Sequence, residues 1–404
     1  MELTLVNKGK AIRQEKIRIE GQAKLINVYK VDINSLYFND QNGRIATFMA
    51  EHKAKNQIDI DELEIHEYNK IIMEYVKKSG NPDKFKTTKE DIRQNGQMKT
   101  GIILEDGRVI DGNRRLTCLK ELYFETHDDK YKFFECFVLP LPRTSKDEII
   151  IKSLELAYQF GEDQREDYNP IDKLVDIYHC LINPKLFTPE EYRDKVNNQM
   201  KLSDIKNAMI KAQIMVDYLE YIGKPNRYDL ARELKLDGPI TEIANLKKSI
   251  KEEDKWQSIA PVFYNKMETQ TKGDRSRDIR SLKKIYENRP EEFIELKEET
   301  KRIEKKKEEL ETLDEHDYIK KSEVQKKIRE IQTKLEERVQ NVAVNTGHEL
   351  ALKKQNDIVK SSLKKLRELD LSIIQYLPKE LQDELLDDLR IIETQIKIIR
   401  NHIK

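Results

Sequence analysis

What this chain has little of narrows it first. It holds only 3 cysteines in 404 residues, Cys118, Cys136 and Cys180, with no CxxC pair. That excludes a disulfide framework and a zinc ribbon, and it suits a reducing compartment. Glycine (13) and proline (11) are sparse, so long stretches are free to run as helix. No apolar run reaches the ~18 residues of a membrane span. The start, "MELTLVNKGKAIRQEK", lacks the apolar segment of a signal peptide. The expectation is a cytoplasmic protein with no membrane partner. Net charge is missing as well: 75 basic residues balance 75 acidic ones. This excludes a uniformly basic nucleic-acid binder and leaves room for a local basic face. The seven histidines show no HxxxH or HxxE spacing, and neither GxSxG nor a Walker A motif occurs.

What is present is charge. Charged residues make up 37% of the chain and hydrophobic ones also 37%. That balance fits exposed helices and coiled coils better than one large core. Residues 1–25 read as a polar, basic arm. Ile26, Val28 and Val31 mark a strand, and Asn39, Asp40, Asn42 and Gly43 a turn ending at Arg44. Helical spacing over 61–79 stops at "GNPDKF". A helix over 88–94 ends at Gly96, and strands over 101–104 and 108–110 flank the turn at Asp106-Gly107. A helix opens near Arg114, with Leu116, Leu119 and Leu122 on its apolar side, and residues 131–139 form a further strand. Helices alternating with strands over 26–146 predict an α/β domain.

From about residue 147 the strand signals fade. Residues 147–290 read as helices punctuated by prolines. Residues 291–340 read as charge-rich heptads broken at "DEHD" (314–317), an antiparallel hairpin or interrupted coiled coil. Two closing helices, near 349–370 and 378–403, complete a tail over 291–404 that is expected to serve self-association or partner docking, and Leu385, Leu389, Ile392, Ile396, Ile399 and Ile403 form a seam in the second. "NTGHEL" (345–350) reads as a helix entry with a loop. The fold class expected is α+β, mostly α.

"VIDGNRRLTCLKEL" (109–122) carries the chemistry. A strand runs into Asp111-Gly112-Asn113-Arg114-Arg115, and a helix follows at once. Gly112 lets backbone N–H groups approach a ligand, and the helix start supplies unpaired donors. Arg114 and Arg115 add planar, permanently charged forks that suit phosphate oxygens. A second reading concerns "FTPEEYRDKVNNQMKLSDIKNAMIKAQIMVDYLEYIG" (187–223), which has helix-turn-helix rhythm. Thr188, Pro189 and Glu191 start one helix, with Thr188 as cap. Ser203 is read as the cap of the next, with Ile205, Met209, Ala212 and Val216 inward. Lys201, Ser203, Lys206, Asn207 and Lys211 are the candidate DNA-contacting residues, lysines for phosphate or guanine and Asn207 for adenine. "KGDRSRDIRSLKK" (272–284) is a further basic cluster that suits either phosphate contact or a solvated face.

Four blocks in one order resemble the ParB family, with its N-terminal domain of the ParB/sulfiredoxin fold followed by a helix-turn-helix. They are "VDINSLYFNDQNGR" (31–44), "DIRQNGQMKTGIIL" (91–104), "DGNRRLTCLKEL" (111–122) and "EDQREDYNPIDKLVDIYHCL" (162–181). The resemblance implies nucleotide-binding roles for Arg44, Gly96, Lys99, Thr100, Gly112, Asn113, Arg114, Arg115, Gln164 and Arg165. It implies CTP, or ATP, with Mg2+ held by Glu162 and Asp163, and a catalytic role for Glu162. Asn113 stands where the family has glutamate, Lys99-Thr100 where it has Gln-Pro, and Gly161-Glu162 where it has Glu-Asn. No cysteine lies within the loop, which argues against a sulfinic-acid reductase. The function implied is DNA binding switched by a nucleoside triphosphate, by a homodimer, with slow NTP hydrolysis left open. The alternatives are a metal-dependent nuclease or ATPase on the same fold, in a defence system, and a non-catalytic scaffold whose C-terminal helices dock a protein partner.

Overall fold

In this computed structural model the described residues are 9–19, 22–56, 60–80, 82–141, 143–160, 169–196, 198–269, 274–313 and 318–403. The strands are β1 (Arg13–Ile19), β2 (Gln22–Asp32), β3 (Tyr37–Phe38), β4 (Gly101–Leu104), β5 (Arg108–Asp111) and β6 (Phe133–Leu139). The helices interleaved with them are α1 (Ala46–Lys55), α2 (Ile65–Ser79), α3 (Pro82–Asn95) and α4 (Asn113–Thr126). α5 (Ser145–Phe160) through α12 follow as helices alone: α6 (Pro170–Leu181), α7 (Pro189–Lys195), α8 (Leu202–Tyr221), α9 (Tyr228–Glu233), α10 (Asp237–Ser249), α11 (Glu253–Thr269) and α12 (Arg275–Asn288). Last come α13 (Pro290–Thr312), α14 (Tyr318–Arg367), the single turn α15 (Leu371–Ile374) and α16 (Lys379–His402).

The strands form one mixed sheet in the order β1-β2-β6-β4-β5-β3. β1 and β2 are antiparallel, β4 and β6 parallel, and β3 joins β5 in parallel. Successive side chains of a strand point to opposite faces, and the core obeys that period. Val31, Ile103, Val109, Phe134 and Cys136 enter one cluster with Ile72, Ile92, Leu116 and Leu119 of α2, α3 and α4. Ile102, Leu104, Ile110 and Phe137 enter the other with Leu154 of α5. The sheet is therefore covered on both faces, which explains why "GIIL" is buried at every position.

Several boundaries differ from the sequence reading. Residues 13–19 of the expected arm are an edge strand, with Arg13 opposite Val28 and Ile19 opposite Gln22. The helix read over 61–79 does stop at "GNPDKF", where Gly80 closes α2, but the next helix opens at Pro82 rather than at 88, since a proline at the first turn gives up no helical hydrogen bond. α14 runs unbroken through "NTGHEL", where a helix entry was expected. The hairpin reading of the heptads agrees with a small cluster of Ile303, Val324 and Ile328, flanked by Leu310, Leu313 and Ile331. The expected break at 314–317 lies outside the described residues.

The chain divides into two compact units, residues 1–283 with 295–332, and residues 284–294 with 333–404. No helix among the described residues is long and apolar enough to cross a membrane.

Candidate functional site

β5 hands the chain to α4 through Gly112, whose φ of 99° lies in the left-handed region. The first helical hydrogen bond runs from Leu116 N to Gly112 O at 2.9 Å. A Cβ at Gly112 would meet the Phe134 ring at 2.7 Å and an Arg115 guanidinium nitrogen at 3.1 Å. The same ring fills the space where Gly101 would carry a side chain. Phe134 is thus the floor on which the loop rests, and both glycines make room for it.

The residues after Gly112 diverge. Asn113 is buried, donating to Val109 O at 3.1 Å and accepting from Asn39 N at 3.3 Å. Its amide stitches the end of β5 to the 39–42 turn and is directed inward, although the resemblance counts Asn113 among the ligand residues. Arg115 closes the neck of the loop. Its guanidinium donates to Asp111 Oδ2 at 2.7 Å, with side chains only 16% and 19% exposed. Arg114 turns toward α2, and a side chain at Gly80 would collide with its guanidinium. Burial pushes the Arg114 pKa down to about 10, and the neighbouring Arg44 charge adds to that shift. Arg44 is delivered by a short turn that Asn42 caps, its side chain accepting from Arg44 N at 3.0 Å. Arg114 and Arg44 thus feel each other's charge near the start of α4, while Arg115 is paired with Asp111; cationic groups beside an amide-rich helix end favour an anion.

Gly96 ends α3 with a φ of 73°. Lys99 is exposed, while Thr100 is buried, its hydroxyl donating to Glu15 Oε1 at 2.8 Å and accepting from Arg13 at 2.9 Å. Thr100 thereby joins the edge strand to a network in which Arg13 also binds Glu135. Glu162, Asp163, Gln164 and Arg165 lie outside the described residues. Among the described residues, no group of three His, Cys, Asp or Glu is placed to hold a metal ion. An open cavity of about 250 Å³ lies at Thr47, Phe48, Glu51, Asp229, Arg232 and Glu233. Its three carboxylates against one arginine make it a poor host for phosphate.

Sequence reasoning missed Glu155 of α5. It is 3% exposed, 3.1 Å from Lys152, and it accepts a hydrogen bond from the backbone of Gly43, the residue before Arg44. Burial pushes its pKa up. A lone carboxylate inside the apolar stretch "SLELAY" was the available signal. Also missed was Arg232 of α9, which donates to Thr47 at 2.9 Å and Asp172 at 3.1 Å and lies 4.3 Å from the Phe48 ring.

The helix-turn-helix segment folds as α7, a turn and α8. Thr188 and Glu191 form a reciprocal capping box at the start of α7. Ile205 and Ala212 are fully buried, Val216 is 6% exposed and Met209 half-buried. Lys201, Ser203 and Lys206 are exposed, and Asn207 and Lys211 half-buried. No ion pair to Lys201, Lys206 or Lys211 occurs among the described residues, although Asp204 stands exposed between the first two. Ser203 does not cap α8: Lys201 occupies the cap position and no side chain caps it. In the 272–284 cluster, Arg275 donates to Leu234 O at 3.1 Å and Arg280 pairs with Glu242 at 3.2 Å, so both brace neighbouring helices. Lys272 lies outside the described residues.

No family model matches the chain, and no curated protein matches it. Among solved structures, one of a Pnob8-like ParB-N domain is similar at 14% identity with a TM-score of 0.33, covering 69% of this chain and 94% of that one.

Proposed function

We propose that this chain is a ParB-like, dimeric DNA-binding protein whose hold on DNA or a partner is set by a nucleoside triphosphate at the start of α4, CTP in preference to ATP. The support is the nearness of Arg44 to the half-covered Arg114 at the amide end of α4, with Arg115 held alongside by Asp111. Guanidinium groups beside an amide-rich helix end suit the oxygens of a phosphate. A triphosphate supplies such oxygens, and the four sequence blocks of ParB character point to the same ligand. Glu162 and Asp163 are the residues proposed to hold Mg2+, whose charge would offset that of the phosphates. Lys201 at the cap of α8 and Lys206 in its first turns, which make no ion pair among the described residues, supply the DNA backbone contact, and Asn207 reaches a base edge.

A second reading, a scaffold with a vestigial pocket, gains from the inward Asn113 and from the Arg115–Asp111 pair. Titration with each nucleoside triphosphate and magnesium separates the two. The expected result is tightest binding by CTP, weakened at least ~10-fold by Arg114→Ala, the loss of one charge-assisted contact. No binding by any triphosphate would leave the scaffold. Phosphate release in the same mixtures distinguishes a switch from a slow hydrolase. A gel shift weakened by Lys206→Ala, with a shallower salt dependence, tests the DNA face.

A further inference from the structure

We propose that α16 pairs antiparallel with α16 of a second copy of this chain. The dimer is taken from the reading above; its geometry rests on α16 alone. α16 is a 24-residue helix with no buried residue. Its seam of Leu385, Leu389, Ile392, Ile396 and Ile399, followed by Ile403 at the cap position just past the helix, advances in alternating four- and three-residue steps, the spacing of a two-helix contact. Leu385, Leu389 and Ile392 are half-buried, but Ile396, Ile399 and Ile403 are 47%, 47% and 72% exposed. α14 does not use up this face, because its own Leu352, Val359 and Leu363 remain 59%, 53% and 47% exposed. Aliphatic rows of this length are seldom left to water on a single chain.

Two features select a second copy as the occupant, and the antiparallel sense. The first is register. In an antiparallel pair, Leu385 faces the partner's Ile403, Leu389 the partner's Ile399, and Ile392 the partner's Ile396. One alignment, centred near Thr394, fills every helical layer from Leu389 to Ile399 on both copies and sets each Leu385 near the partner's Ile403 at the cap position. The second is charge. Glu380, Asp383, Glu384, Asp387 and Asp388 fall between residues 380 and 388 with no base among them. Lys397, Arg400, His402 and Lys404 close the chain with no acid after Glu393. Antiparallel apposition sets the acidic half of each helix against the basic half of the other and opposes the helix dipoles. A parallel pair would stack like charge on like.

The test uses the full chain. Light scattering of the wild type at micromolar concentration is expected to give the mass of two chains. Ile396→Asp with Ile399→Asp is expected to give one chain, the dissociation constant rising at least ~100-fold, whereas Ile396→Leu keeps the dimer. A single-chain wild type, or a dimer that survives the double change, overturns the proposal. Orientation is read by oxidation: Gln395→Cys, next to the centre, should cross-link to its copy, and Gln382→Cys, at the acidic end, should not. Equal cross-linking at both positions means a parallel pair and also overturns it. Nucleotide titration of the double variant separates the two proposals. Unchanged binding by a monomer leaves the pocket reading intact, and a dimer that binds no nucleotide leaves only the pairing.

Discussion

Gly112 and Gly96 both sit at positive φ, 99° and 73°, but their surroundings differ. A Cβ at Gly112 would press on the Phe134 ring, while nothing lies within 4 Å of one at Gly96. Replacing Gly96 by alanine therefore costs only the left-handed backbone, about 1 kcal/mol. Gly112→Ala adds overpacking against a buried ring and is expected to cost about 2–4 kcal/mol. Urea midpoints of the two variants check this, and equal losses would mean that Phe134 yields. Asp172 gives a second expectation. Burial pushes its pKa up to about 6, against the pull of Thr47 and Arg232. A raised carboxyl pKa means that the folded protein holds the proton more tightly than the unfolded chain does. The cost of ionising Asp172 in place is thus absent below about pH 4, grows between about pH 4 and 6, and is complete above. Relative to Asp172→Asn, the wild type should lose up to about 3 kcal/mol between pH 4 and pH 7, on top of a constant offset from the altered Arg232 pair. A flat difference across that range would show the carboxylate to be solvated.

Elements were legible where local chemistry alone decides them. "GIIL" gave the strand 101–104 without error, and Thr188 with Glu191 gave the start of α7, because a buried strand and a capping box are written in adjacent residues. Ser203 failed as a cap because the chain enters α8 two residues earlier, with Lys201 at the cap position. The loop at Gly112 was visible, but the opposite directions of Asn113, Arg114 and Arg115 were not. Those depend on Asn39, Gly80 and Thr100, which the fold brings in from far along the chain. "NTGHEL" misled for another reason. Gly347 suggests a break, yet it lies inside the 50-residue α14. Nothing lies within 4 Å of a Cβ there, so no close approach requires glycine. Gly347→Ala should therefore raise stability by about 0.5–1 kcal/mol, the helix-propensity difference. Thermal unfolding followed by circular dichroism reads this. A loss instead would mean that glycine is needed for a bend that α14 makes in use.

At the scale of the molecule, burial is distributed unevenly. β4 is buried at all four positions and paired on both sides, by β5 and β6. From Gly347 to Ile403, by contrast, no described residue is buried. A helix without tertiary cover is held by its own weak cooperativity, so its amides should open far more often than those of a covered sheet. If a second copy supplies the cover, protection becomes a matter of mass action and must depend on concentration. Amide exchange is therefore expected to be slow and independent of concentration at residues 101–104 and 133–139. At residues 379–402 it should slow as the protein concentration rises. Ile396→Asp with Ile399→Asp should remove that dependence and leave the sheet unchanged. Exchange at 379–402 that is equally fast at every concentration would mean that no copy covers α16. Slow exchange even in dilute solution would mean that the chain covers its own tail, and in either case the seam would not be the joint between copies.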